Sequence, residues 1–193
     1  MVITYFGNGS FRLQSGDTAL LLNPDNNRLK ADVTLRTLAG VATDELLGPA
    51  SDAGLMISFP GEYESHGMEI IGFPIVEEST EKFVKTAYKV IFEEMTFVFL
   101  GHLSRPLNAT LMEEFSEPDV LFLPAGGGHF LEPEVAAKMA KQLEARVVIP
   151  SFTKNADAFL KALGRKTDAI EKFVFRQKDI VSEKGRPVVL KET

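Results

Sequence analysis

Lys30-Ala31-Asp32-Val33-Thr34-Leu35-Arg36-Thr37-Leu38-Ala39-Gly40-Val41-Ala42-Thr43-Asp44 is the stretch on which the reading of this chain turns. Its first part, Val33 to Thr37, is short and rich in β-branched and apolar residues, the pattern of a strand. Small residues follow and read as a loop. The acidic pair Asp44 and Glu45 then opens a helix over Asp44 to Leu47, because carboxylates favour the positive end of a helix.

Upstream, strands at Val2–Phe6, Ser10–Gln14 and Thr18–Leu22 alternate with Gly7-Asn8-Gly9, Ser15-Gly16-Asp17 and Asn23-Pro24-Asp25. Those breaks supply positive φ or local side-chain caps, so the region predicts a β-meander. Downstream, a strand at Gly54–Phe59 leads into Pro60-Gly61-Glu62-Tyr63-Glu64, a hairpin tip at Ser65-His66-Gly67 and a return strand from Met68. The charged stretch from Val76 to Lys85 reads as a mobile connection and divides the chain into two halves, about 1–80 and 85–193.

In the second half, Met95–Leu100, Val120–Leu123 and Val147–Ile149 are apolar strands, each ending in small or polar residues. Glu132-Pro133-Glu134 starts a helix whose apolar face is Val135, Ala136, Met139, Ala140 and Leu143. Another helix near Asn155–Leu163 stops at Gly164. Strands near Lys172–Phe175 and Val188–Leu190 close the chain.

The chain has 193 residues, a size that fits one domain able to bury roughly 70% of its unfolded surface. It has no cysteine, which excludes disulfides, thiolate nucleophiles and Cys-type metal sites. The formal net charge of -6 argues against a nucleic-acid backbone as partner. Met1–Phe6 carries no basic leader and no apolar run nears the ~18 residues of a membrane span, so a soluble, cytoplasmic protein without membrane contact is expected.

Ala31-Asp32-Val33, Leu35 and Thr37, together with Pro60-Gly61-Glu62-Tyr63-Glu64 and Gly7-Asn8-Gly9-Ser10-Phe11, resemble metallo-β-lactamase-fold hydrolases, in the small branch related to ascorbate-6-phosphate lactonase. The resemblance runs from Val2 almost to Lys191 and implies an α/β fold, the four-layer αββα sandwich, as one domain over 1–193. Pattern alone leaves other α/β layouts open. It also implies a zinc or manganese site of His and Asp at the strand ends. The family's ligands at the loop after Thr37 fall here on Leu38, Gly40, Ala42 and Thr43, and others fall on Glu77, His102 and Phe152. Two further ionisable family positions have become Asn8 and Asn23.

A zinc site needs at least three placed ligands per ion. The resemblance therefore implies a hydrolase scaffold without its metal, with no cofactor, acting as a non-catalytic binding or partner subunit. The ligand is then a small molecule or a protein. The alternative is a lactone or phosphoester hydrolase using a new site of His102, His129 and Glu77, which come from separate loops without helical spacing. Other features have plainer readings. Gly126-Gly127-Gly128 lacks a P-loop ending and reads as a tight turn. Glu62 and Glu64 share a strand face as scaffold, His66 sits solvated at a hairpin tip, and Ser104 or Ser151 near His102 lacks an orienting third group.

Overall fold

The structure, a computed structural model, describes residues 1–25, 28–41 and 54–193. The meander forms as expected: β1 (Val2–Tyr5), β2 (Phe11–Ser15) and β3 (Thr18–Leu22) pair antiparallel in sequence order. β4 is shorter than its sequence suggested, Val33–Leu35, and runs parallel to β3. The chain then does not enter a loop. Leu38–Gly40 is a strand, β5, paired antiparallel with β9 (Phe83–Phe92) in the other sheet. Arg36 and Thr37 thus hand the chain from one sheet to the next. The helix expected over Asp44–Leu47 lies outside the described residues, as do Ala42 and Thr43.

β6 (Leu55–Ile57) returns parallel to β4 in the first sheet. β7 (Gly61–Ser65) and β8 (Met68–Pro74) form the expected hairpin, with His66 at φ 50° in its tip. They join β9 and β10 (Met95–Phe99) in the second sheet. After α1 (Ala109–Glu114) come β11 (Val120–Pro124), α2 (Pro133–Gln142), β12 (Val147–Ser151) and α3 (Asp157–Leu163). β13 (Ala169–Ile170), β14 (Lys172–Val174), α4 (Gln177–Ile180), β15 (Arg186–Pro187) and β16 (Val189–Leu190) complete the chain. The first sheet has the order β14-β1-β2-β3-β4-β6, and the second β15-β12-β11-β10-β9-β8-β7. Because β7 and β8 lie in the second sheet and β14 in the first, the divide near residues 80–85 does not coincide with the division between sheets.

Period-two alternation explains the layering. Phe97, Phe99, Phe122, Val147 and Ile149 point between the sheets, where they meet Ile3, Phe11, Leu13 and Leu20. Their neighbours Val98, Leu121, Leu123 and Val148 point to the other face, against Ala136, Met139, Leu143 and Phe159 of the helical layer. Strands covered on both faces read as unbroken apolar runs, and β11 and β12, buried at every residue, are parallel as such strands usually are. The expected apolar face of α2 packs inward, with Ala136, Met139, Ala140 and Leu143 buried and Val135 partly buried against the same core, and Ala137 widens it. α3 starts two residues later than its sequence suggested, where Asn155 Oδ1 accepts the Asp157 N–H at 2.7 Å, and ends at Gly164 with φ 75°.

The stretch from Val76 to Lys85 is held down rather than mobile. It forms a 3-10 turn at Val76–Glu78 and then enters β9. Ser79 Oγ donates to the Ile75 carbonyl at 2.8 Å and accepts the Lys85 N–H at 3.0 Å.

Candidate functional site

Strand ends from both sheets meet at one edge, and the left-handed turns there are dictated by close packing. Gly7, Asn8 and Gly9 have φ of 86°, 46° and 74°. A Cβ on Gly9 would lie 2.2 Å from the ring of Phe152, so only glycine lets that ring reach the turn. Phe152, with its own φ at 52°, stacks on Phe130 at 4.3 Å between centroids and meets the His102 ring at 4.7 Å. Gly101 has φ 53°, and a Cβ there would fall 2.2 Å from the Thr37 side chain. Glycine at this position therefore brings His102 against Thr37.

Thr37 is the hub of a polar chain. Its N–H donates to Asn23 Oδ1 at 2.8 Å, Asn23 Nδ2 donates to Thr37 Oγ1 at 2.9 Å, and Thr37 Oγ1 lies 2.8 Å from His102 Nδ1. Burial, reinforced by the positive charge of Lys85, pushes the His102 pKa down to about 4, so the imidazole is neutral near pH 7. A neutral ring accepts from or donates to Thr37 according to its tautomer, and either choice leaves the chain satisfied.

The other candidate residues do not gather around His102. Glu77 is exposed and accepts from Asn108 Nδ2 at 3.1 Å. Its neighbour Glu78 is the carboxylate that turns inward. His129 is exposed in the turn before α2. Asn8 donates to Asp25 Oδ2 at 3.1 Å. Leu38 is 38% exposed and Gly40 half-buried, both on β5, while Ala42 and Thr43 lie outside the described residues. Glu62 and Glu64 are solvent-facing on β7. Sequence reasoning missed Glu78, Lys85 and Phe130. Glu78 was hidden within a charge run, and Phe130 by its more conspicuous neighbour His129.

Beside the aromatic cluster opens a hollow of about 840 Å³. Phe130, Phe152, Pro150 and Leu160 give it an apolar wall, and Asn8, Lys154, Asn155 and Glu192 a polar edge. Its size falls in the range of roughly 300–1,000 Å³ typical of small-molecule sites.

Two face-to-face sheets with helices outside and loops converging at one edge define an αββα hydrolase scaffold. The chain belongs to the family described as the beta-lactamase superfamily domain, whose model matches residues 2–151. Among solved structures it is similar to a candidate Zn-dependent hydrolase of the metallo-β-lactamase superfamily from Thermotoga maritima, with 25% identity and a TM-score of 0.76 over 98% of this chain and 97% of that one. It is also similar to Igni18, a metallo hydrolase from Ignicoccus hospitalis, with 18% identity and a TM-score of 0.66 over 91% of this chain and 99% of that one. A metallo-β-lactamase fold protein, YhfI, from Bacillus subtilis gives 11% identity and a TM-score of 0.69 over 100% of this chain and 96% of that one. Curated proteins gave no match.

Among the described residues, the strand-end donors do not make a site for the zinc ion named in the description of the Thermotoga maritima structure. Leu38, Gly40 and Phe152 offer no ligand atom, and His102 spends Nδ1 on Thr37. Among the described residues no group of three or more His, Asp or Glu lies together. Nor is any described helix long and apolar enough to cross a membrane.

Proposed function

We propose that this chain is a non-catalytic member of its hydrolase family that binds a compact small molecule in the hollow beside Phe152. One observation carries the reading: aromatic rings and a closed hydrogen-bond chain fill the strand-end edge, while an open space remains directly alongside. Hydrolysis in this fold calls for a polarised water, and a neutral imidazole packed against Phe152 and Phe130 is poorly placed to activate one without a metal. The apolar wall and polar edge suit a ligand with a flat or aliphatic body and a charged or hydrogen-bonding end.

The chain contains no tryptophan, so an indole ligand excited beyond the tyrosine absorption can be followed by its own fluorescence without indole background from the protein. Titration with indole-3-propionate is expected to saturate, and Phe130→Ala to weaken it at least fivefold. Absence of saturable binding by this probe and by its amine counterpart tryptamine counts against the hollow as a site. Turnover of a lactone or phosphoester panel that is lost in His102→Ala overturns the non-catalytic reading.

A further inference from the structure

Lys85 stands among the positions at which an ion would be expected. Its Cα is opposite Leu38 in the β5–β9 pairing, and its ammonium donates to the His102 carbonyl at 2.7 Å. The same nitrogen lies 2.7 Å from Glu78 Oε2. Glu78 in turn accepts the Ser104 N–H on both oxygens at 3.0 Å, the Ser104 hydroxyl at 2.7 Å and the Arg105 N–H at 2.8 Å. Three separate pieces of chain therefore converge on one ion pair: the 3-10 turn, β9, and the loop after β10.

Burial makes this more than a surface contact. The lysine side chain is 16% exposed and the glutamate 4%. Taking two charges out of water is unfavourable unless the remaining lone pairs and protons find partners. Here the carboxylate receives donors from Lys85, Ser104 and Arg105, and the ammonium has acceptors on two elements. Burial alone would push the Glu78 carboxyl up, but the hydrogen bonds from Lys85 and Ser104 outweigh it and hold the pKa below its ordinary value.

The similar structures from Thermotoga maritima and Ignicoccus hospitalis are described as Zn-dependent and metallo hydrolases. A metal ion draws donors from separate strand ends to one positive centre. We propose that Lys85 is a built-in cation that fastens the strand-end loops of this chain where such hydrolases rely on an exchangeable metal ion. The proposal is independent of the ligand reading, since the ion pair involves none of the residues that line the hollow.

Amide hydrogen exchange on the whole chain tests it, comparing wild type with Lys85→Met and Glu78→Gln. Exchange at Ser104 and Arg105 is expected to accelerate at least tenfold more than at Val148 in the buried strand β12. The His102 imidazole, followed by NMR, is expected to titrate at higher pH in Lys85→Met. EDTA, or equimolar zinc or manganese, is expected to leave the wild-type Tm unchanged. Uniform acceleration across the chain overturns the proposal, because it assigns Lys85 to general packing. A wild-type Tm raised by zinc or manganese overturns it too. If Lys85→Met does not fold, Glu78→Gln carries the exchange comparison.

Discussion

Thr37 Oγ1 lies 2.8 Å from Nδ1 of His102, joining residues 65 positions apart across the junction of the two sheets. The same hydroxyl accepts from Asn23 Nδ2, so a single buried oxygen ties together three strand ends.

Thr37→Val keeps the shape and removes that oxygen. Asn23 and His102 are then left with unmatched polar atoms, each costing about 1–3 kcal/mol when buried. Urea denaturation is expected to show a loss of about 2 kcal/mol, and Thr37→Ser, which keeps the hydroxyl, less than half of it.

Stability should also fall as the solution becomes acidic, for a reason that has a definite sign. The folded His102 pKa, about 4, lies below its ordinary value of 6.5. The unfolded chain therefore takes up this proton first, and stability contributed by the neutral ring is complete above about pH 6.5 and declines as pH falls toward 4. The maximum loss from this group is up to about 3 kcal/mol, at roughly 1.4 kcal/mol per pKa unit. Denaturation midpoints at several pH values, compared between wild type and His102→Gln, should show a flatter acid limb in the variant.

Gly9→Ala is expected to be disproportionately damaging for one methyl group. The position has φ 74°, and the added carbon would overlap the Phe152 ring. Overpacking of this kind costs about 1–3 kcal/mol. Thermal unfolding should show the loss in the wild-type background and a smaller one when Phe152→Ala is also present.

Untagged protein analysed for metals by mass spectrometry is expected to carry less than stoichiometric zinc and manganese. Stoichiometric metal would mean that donors outside the cluster around His102 complete a site.

Much of the fold was legible because its cause is local. Turn residues between short strands marked β1 to β3, and unbroken apolar runs marked β11 and β12, since covering a sheet on both faces demands apolar residues at every position. The run Leu38-Ala39-Gly40 misled, because one leucine followed by alanine and glycine carries little strand signal until β9 supplies its hydrogen-bond partners. Likewise the run from Val76 to Lys85 looked like a mobile connection, because charge in a sequence says nothing about which carboxylate turns inward. Glu77 points to solvent and Asn108, whereas Glu78, one residue on, is the carboxylate that meets Lys85.

By itself the amino-acid sequence determined the layered α/β class and the identity of the side chains at the strand ends, because periodicity and residue chemistry are properties of the chain before it folds. Only the tertiary structure decided which of those side chains touch. Phe130 reaches Phe152, Lys85 reaches Glu78 and the His102 carbonyl, and Thr37 reaches His102 through strand register and sheet packing. The contacts of Lys85 and Phe130 form where neighbouring strands of the second sheet end, whereas Thr37 and His102, 65 positions apart, meet only once the two sheets have closed on their common core.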